Sequence, residues 1–292
     1  MDQSTDDSTE RVVRSLTAQH PDRMTIVYHH LEVAGLSRAY NAAFRATTSE
    51  IVACTDDDVI VHRDWIRTIE RDFAADDRLG ALYGQVMCPE SLLDVGPEMV
   101  VPALTWTERL RLFQADRNYK VWGMGANMAI RRRAFDAIGG FDELMGGGAP
   151  LRSSQDFDFS LRLYRGGWAV LLDPEVKVNH YGARRADQWS ATEKAYGIGD
   201  GAFYGKHVRC RDLMALRMLV KLMSQCVAKS AYHSIRQRKV VPLSVYAKSL
   251  VTGLRDGARF DVDRGRRLYV ENAQARFAVS EANAVAGADP RR

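Results

Sequence analysis

Three consecutive carboxylates, Asp56, Asp57 and Asp58, directly follow an apolar run at residues 51–55 that the pattern predicts as a buried strand. Ligands of open α/β sheets bind just beyond the carboxyl ends of strands. In extended backbone Asp56 and Asp58 point to the same side, so one or both could hold a hard divalent cation that bridges phosphate oxygens of a nucleotide. The alternative is an acidic cluster that only caps a turn. We favour the metal interpretation because clustered carboxylates repel one another unless a cation or hydrogen bonds offset the charge.

A second pair of carboxylates, Asp156 and Asp158, falls in the first turn of a predicted helix. The helix dipole favours negative charge there, so both have an ordinary structural explanation. Asp158 has Arg162 four residues later, which predicts a surface ion pair, whereas Asp156 has no cationic partner on its own helix. If one of them is a free catalytic base, we expect it to be Asp156.

Other candidate residues carry weaker signals. His180 follows a predicted strand at residues 176–178, where it is either an ordinary histidine or a ligand of a metal or phosphate. Gly123 and Gly125 permit close backbone approach to a ligand and Asn127 supplies an amide, although the glycines could also serve only a turn.

Alternating elements predict the scaffold that positions these residues. The predicted strands cover residues 24–28, 51–55, 81–86 and 168–172, and the predicted helices cover residues 36–47, 64–75, 131–138 and about 153–164. Strands that alternate with helices are typical of an α/β fold, and we expect a mostly parallel, doubly wound sheet. A Gly-Gly pair at 139–140 predicts a left-handed end for the third of these helices.

The charge of the chain is unevenly distributed. Its 292 residues carry a net charge of +4, but residues 1–203 carry −7, residues 204–260 carry +10 and the remainder +1. We therefore predict an acidic body at 1–203, which could hold metal cations, and a basic amphipathic helical segment with a loose, Ala-rich tail at 204–292. A basic amphipathic helix suits an anionic membrane surface, and the alternative is a helix packed on the body with its basic face solvated.

Several classes of protein are disfavoured. Aromatic residues are sparse in the basic segment, which argues against nucleic-acid binding. The four cysteines form no CxxC pair, so neither a zinc site nor a disulfide framework is supported. The acidic start does not resemble a secretory signal and no long apolar run could span a bilayer, so we expect a reduced, cytoplasmic setting.

Five segments in order resemble the family 2 glycosyltransferases, which have the GT-A fold and transfer a sugar from a nucleotide-sugar donor. The matching segments are DQSTDDS at 2–8, GLSRAYNAAF at 35–44, CTDDDVIVHRDWI at 54–66, GANMAIRRRAFDAIGGFDE at 125–143 and SQDFDFSLRLYRGGW at 154–168. The stretch YGIGDGAFYGKH at 196–207 is similar to the region after the catalytic domain in members that work at the membrane.

This resemblance assigns roles to particular residues. It implies that Asp56, Asp58 and His180 hold Mn2+ or Mg2+ and that Asp156 is the catalytic base. The nucleotide-sugar would be bound by Asp2, Arg38, Asp56, Asp57, Gly125, Ala126 and Asn127, with Arg38 near the diphosphate and residues 125–127 lining the sugar and acceptor.

The implied activity is an inverting transfer to a glycan or lipid-linked acceptor in cell-surface polysaccharide synthesis, at the inner face of the cell membrane. Two departures qualify it: Gln155 stands where the family usually has Glu, and the strand–helix–strand unit with which the family opens, about 30 residues long, is absent. We therefore expect a shortened chain that is weakly stable or inactive. The alternative function is a non-catalytic remnant that still binds a nucleotide or carbohydrate.

Overall fold

A computed structural model describes residues 1–19, 25–93, 96, 98–113 and 123–271 of the protein. The helices are α1 (Ser8–Gln19), α2 (Leu36–Ala46), α3 (Trp65–Ala75), α4 (Arg132–Ile138), α5 (Gln155–Arg165), α6 (Trp189–Arg209), α7 (Leu213–Gln237) and α8 (Val245–Gly257). The strands are β1 (Ile51–Thr55), β2 (Val59–Val61), β3 (Leu79–Met87), β4 (Met99–Val100), β5 (Leu110–Leu112), β6 (Asn127–Arg131), β7 (Ala169–His180), β8 (Arg184–Arg185), β9 (Asp261–Asp263) and β10 (Leu268–Val270).

Six of the described strands form the central sheet, in the order β1-β6-β3-β7-β2, with β5 also paired to β7. The α/β class is confirmed, but the sheet is mixed: β3 runs parallel to β7, whereas the other pairs in this sheet are antiparallel. The expectation of a mostly parallel sheet is corrected in this respect. β6 runs antiparallel to both of its neighbours, β1 and β3, and both β2 and β5 run antiparallel to β7.

Helices cover both faces of this sheet, as a doubly wound layer requires. Ala81 and Tyr83 of β3 pack into one core cluster with residues of α2, α4 and α5, while Leu82 of β3 packs into a second cluster with α3. This alternation follows from the period of two along a strand. Phe141 and Phe159 stack at a centroid distance of 4.1 Å in the larger cluster.

Most predicted elements form, with shifted ends. The strand predicted at 51–55 forms with the same bounds, although Cys54 is its one buried residue. The strand predicted at 81–86 extends to Leu79–Met87, and the one at 168–172 belongs to the twelve-residue β7. Gly139 adopts the expected left-handed conformation, with φ 80°. The strand predicted at 24–28 does not form in its described part, residues 25–28, and the nearest pairing is a single bridge between Asp2 and His30.

The segment after the sheet is helical, as predicted. α6 runs across the predicted boundary at residue 203 and packs along α8. A Cβ on Gly201 would collide with the Leu250 carbonyl, and one on Gly253 with the Ile198 carbonyl, so glycines permit this close approach. The tail predicted from Ala275 onward lies outside the described residues.

The basic helix predicted at 213–235 corresponds to α7. Asp212 caps it by accepting hydrogen bonds from the amides of Met214 and Ala215. Among its described residues only Ala215 is buried. Within the part of the chain described, no helix combines the length and hydropathy needed to cross a membrane.

Candidate active site

The candidate metal ligands meet at the ends of β1 and β7 and at the start of β2. Asp56 follows β1, Asp58 precedes β2, and His180 ends β7 directly opposite Val59 of β2. One ligand atom from each of Asp56, Asp58 and His180 lies within 4.8 Å of the others, and His180 Nε2 is 3.5 Å from Asp58 Oδ1. The three residues predicted as metal ligands are therefore brought together.

The chemistry of this group fits a divalent cation. The Nδ1 atom of His180 is buried and has no hydrogen-bond partner among the described atoms. Burial first, and then the negative charge of Asp58, raises the pKa of Asp56, and a cation bound here would favour its ionised form. Two carboxylates and an imidazole form a donor set suited to Mn2+.

Asp156 is placed beside this group by the first turn of α5. The Gly125 amide donates to Asp156 Oδ2 at 3.2 Å, and Gln155 Nε2 donates to Oδ1 at 3.3 Å. Burial raises the pKa of Asp156 to about 7, with a further contribution from the charge of Asp56. A carboxyl group that titrates near neutral pH can accept a proton from an alcohol under ordinary conditions.

The turn at residues 123–126 contacts both Asp156 and the end of β1, which the carboxylates follow. Thr55, next to Asp56, donates its hydroxyl to the Ala126 carbonyl at 2.9 Å. A Cβ on Gly125 would lie 2.7 Å from the Tyr40 hydroxyl and 3.2 Å from Asp156 Oδ1, so the backbone approaches both groups closely only because residue 125 is glycine. Gly125 and Ala126 therefore lie close to Asp56 and Asp156, and these four residues form the candidate site together with Asp58 and His180.

The side chain of Asn127 forms its hydrogen bonds within the core and not with the carboxylates of the candidate site. Its Oδ1 accepts from the Trp65 indole at 2.8 Å, and its Nδ2 donates to the carbonyls of Gln85 at 2.9 Å and Val176 at 3.0 Å. The prediction that Asn127 lines the sugar is thus not supported for its side chain, because all of its bonds bridge strands and α3.

Three further residues were predicted to bind the nucleotide-sugar: Arg38, Asp57 and Asp2. Arg38 forms an ion pair with Glu143 at 3.1 Å on another side of α2, and no ion pair among the described residues joins it to the carboxylate cluster. Asp57 is exposed in the turn between β1 and β2. Asp2 accepts hydrogen bonds from Ser4 and Tyr28, which lower its pKa to about 2.

Asp158 differs from its prediction. It is fully buried, and besides Arg162 Nε at 2.8 Å it contacts Lys206 Nζ at 2.6 Å and His207 Nε2 at 2.9 Å. The expected surface ion pair is therefore a buried charge cluster that joins α5 to α6. Sequence spacing revealed only Arg162, because the other two partners lie almost fifty positions away.

The sequence interpretation also missed Tyr40. Its hydroxyl is buried without a hydrogen-bond partner among the described residues, and the charge of Asp156 reinforces the effect of burial in raising its pKa. It occurs in the segment GLSRAYNAAF, but no spacing rule marks it. Its position became apparent only from the approach of α2 to the Gly125 turn.

Comparisons with known proteins agree with this architecture. The family model described as glycosyl transferase family 2 matches residues 1–139. The pre-mycofactocin glycosyltransferases of two Mycobacterium tuberculosis strains are 26% identical over 176 residues, which cover 59% of this chain but 35% of theirs, so the chain spans about a third of their length.

Among solved structures, the mannosyltransferase PcManGT from Pyrobaculum calidifontis, in complex with GDP-Man and Mn2+, aligns with a TM-score of 0.55. The alignment covers 99% of this chain and 70% of that protein at 18% identity. This likeness confirms the GT-A-like fold.

Proposed function

We propose that this chain, which belongs to glycosyl transferase family 2, transfers a sugar from a nucleotide-sugar donor to an acceptor hydroxyl with inversion at the anomeric carbon. The observation that carries the proposal is the proximity of Asp156 to the Asp56–Asp58–His180 group, since the charge of Asp56 contributes to the raised pKa of Asp156. A carboxylate with a pKa of about 7 near a donor set for a divalent cation supports this reaction.

In this mechanism Asp156 removes the proton from the acceptor hydroxyl while the oxygen attacks the anomeric carbon. The bond from that carbon to the diphosphate breaks, and the nucleoside diphosphate leaves with the electron pair. Gly125 orients Asp156 through its amide. Asp56, Asp58 and His180 would hold Mn2+, which would neutralise the charge on the leaving diphosphate.

Release of nucleoside diphosphate from UDP-glucose, UDP-GlcNAc and GDP-mannose, each with Mn2+, tests the activity. Asp156→Asn should lower turnover by about 10²–10⁴-fold, the usual contribution of a general base, while donor binding persists. Asp136→Asn, the same change at an exposed position of α4, serves as the matched control. Equal turnover in the Asp156 and Asp136 variants would remove Asp156 from this role.

Metal binding is tested separately from turnover by titrating Mn2+ and following its electron paramagnetic resonance signal. Asp58→Asn should weaken Mn2+ binding at least tenfold. Asp57→Asn removes the same charge from the adjacent exposed residue and should change the affinity by less than threefold. If both variants bind Mn2+ equally, the cation is not held by the group that includes His180.

One observation favours a second candidate, a binding module without turnover. Position 155 carries the uncharged amide of Gln155 and therefore supplies no second acidic group. Gln155 donates a hydrogen bond to Asp156, which favours the ionised form of that carboxyl group. A wild-type chain that binds a nucleotide-sugar with Mn2+ but releases no nucleoside diphosphate, with or without candidate acceptor alcohols, would support this alternative.

We further propose that α7 lies on an anionic membrane, which suits a lipid-linked or cell-surface acceptor. Leu213, Leu216, Val220 and Val227 are 67%, 41%, 60% and 53% exposed, and their spacing places them on one stripe of the helix. α7 contains no acidic residue, and its lysines and arginines, 217, 221, 229 and 236, are exposed. Apolar insertion and headgroup attraction then act together.

Flotation with vesicles of phosphatidylcholine and 30% phosphatidylglycerol tests the membrane proposal. The wild-type chain should float at low salt and Val220→Asp should float much less. Ile66→Asp, the same change at an exposed position of α3, is the control and should float like the wild type. A wild-type chain that stays unbound at low salt would refute membrane association.

A further inference from the structure

The helix that carries Asp156 begins in an unusual way. Ser154, at its N-terminal cap, has φ 65°, and Arg152 has φ 67°, in the left-handed region that side-chain-bearing residues seldom occupy. Ser154 does not cap α5 with its hydroxyl. Such conformations persist where the surrounding structure holds them, so the contacts of Ser154 become important.

Those contacts lead to the C-terminal helices. The Ser154 hydroxyl donates to Asp200 Oδ1 of α6 at 2.6 Å, and the Tyr246 hydroxyl of α8 donates to Asp200 Oδ2. The α6 backbone also lies directly against Ser153, because a Cβ on Gly199 would be 2.6 Å from the Ser153 carbonyl carbon. One carboxylate thus bridges α8, α6 and the residue two positions before Asp156.

From this geometry we infer that Asp200 is a positioning residue that fixes the first turn of α5 and thereby the direction of the Asp156 carboxylate. The inference rests on the proposed function, in which Asp156 is the base. Among the described residues, the hydrogen bonds to the carboxylate of Asp156 are two long ones, from the Gly125 amide at 3.2 Å and from Gln155 at 3.3 Å. Its placement therefore depends on where α5 begins.

The sensitivity of the reaction to this placement follows from general principles. A shift of about 1 Å in a reacting group can cost about 10²-fold in rate. The first main-chain bond of α5, from the Asp158 amide to the Ser154 carbonyl at 3.0 Å, starts at the residue that Asp200 holds. Loss of the Asp200 bridge should therefore loosen the turn before it affects the remainder of α5.

Two readouts separate this role from a merely structural one. Asp200→Ala should lower kcat about 10–100-fold with the KM for the donor changed less than threefold, since no donor-binding residue moves. Asp200→Asn should restore kcat to within about threefold, because its amide oxygen still accepts from Ser154 and its amide nitrogen can donate to Tyr246. In Asp200→Ala, hydrogen exchange of the Asp158 amide should be at least tenfold faster.

The matched control is Tyr269→Phe. Tyr269 donates to the Ala202 carbonyl, so the change also removes a hydrogen bond to α6, but one with no connection to Ser154. This variant should leave kcat and the exchange of the Asp158 amide unchanged. Ser154→Ala combined with Asp200→Ala should be no worse than Asp200→Ala alone, because Asp200→Ala already removes the hydrogen bond that Ser154→Ala would remove.

An active wild type whose kcat is not lowered by Asp200→Ala, or is lowered equally by Tyr269→Phe, would overturn the inference. Unchanged exchange of the Asp158 amide in Asp200→Ala would overturn it as well. If the wild type releases no nucleoside diphosphate from any donor, the proposed function fails instead, and the exchange measurement alone decides whether Asp200 holds the turn.

Discussion

Replacing Lys206 by methionine should destabilise the fold by removing the cation from a buried cluster. Lys206 is fully buried, and its Nζ lies 2.6 Å from Asp142 Oδ2 and 2.6 Å from Asp158 Oδ1. Breaking a buried ion pair from one side costs about 3–5 kcal/mol. Asp142 keeps the Tyr269 amide and Asp158 keeps Arg162 and His207, so we expect the lower end, about 3 kcal/mol.

Urea denaturation followed by circular dichroism measures this change, and a melting curve should shift downward by about 6–12 °C. Lys248→Met, at an exposed position of α8, is the control and should stay within about 0.5 kcal/mol of the wild type. A loss below about 1 kcal/mol in the Lys206 variant, or an equal loss in the control, would refute the reasoning.

The pH dependence supplies an independent check. Burial opposes ionisation of Asp158, but Lys206, Arg162 and His207 together outweigh it and hold its pKa below the usual range. A carboxyl group with a depressed pKa in the folded state stabilises the fold above its unfolded pKa, and this contribution is lost as pH falls. The stability difference between wild type and Lys206→Met should therefore shrink below about pH 4. A difference that does not change with pH would contradict this account of the cluster.

Three further outcomes are expected. Because burial raises the pKa of Asp156 to about 7, kcat/KM should rise with pH through about 7, and a flat profile between pH 5.5 and 8.5 would count against a base with this pKa. Gly125→Ala should reduce turnover at least tenfold, since its Cβ would crowd the Tyr40 hydroxyl and Asp156; donor-dependent turnover equal to wild type would contradict this steric argument. Asn127→Ala should lower the free energy of unfolding, measured by urea denaturation, by about 2–4 kcal/mol, because it leaves the buried partners of Asn127 unpaired. A variant that loses donor affinity but no stability would instead indicate that this side chain contacts the donor.

The fold was predictable wherever local pattern coincided with burial. The run at 51–55 forms β1 because its apolar residues enter the sheet, and the helix predicted at 36–47 forms because Tyr40 and Phe44 lie one turn apart on its buried face. The β-branched run at 24–28 has the same composition as a strand, but residues 25–28 have no neighbouring strand among the described residues. A segment with strand-forming residues becomes a strand only when it can pair with a neighbouring strand.

Strand direction and the environment of charged residues depend on distant parts of the chain. Asn127 starts β6, and the alternation of side chains along that strand turns it, like Ala129, toward Trp65 of α3. Asp56, Asp58 and His180 were predictable because strand ends mark sites in α/β sheets. Asp158 was not, since the i,i+4 rule considers only its own helix and its partners Lys206 and His207 come from another.

The charge step at residue 203 and the packing of the chain describe different properties. Net charge reflects the exposed surface, whereas the buried contacts of Asp200, Lys206 and His207 lie on one helix that spans the step. The division into two domains stays a prediction, but the contacts on either side of residue 203 are continuous. The same helix, α6, therefore contacts both Ser154, which lies two residues before the proposed base, and α8, which follows the basic helix. Substitution of Asp200 on α6 should accordingly affect catalysis, substitution of Lys206 on the same helix should affect stability, and substitutions on the exposed side of α7 should affect membrane association.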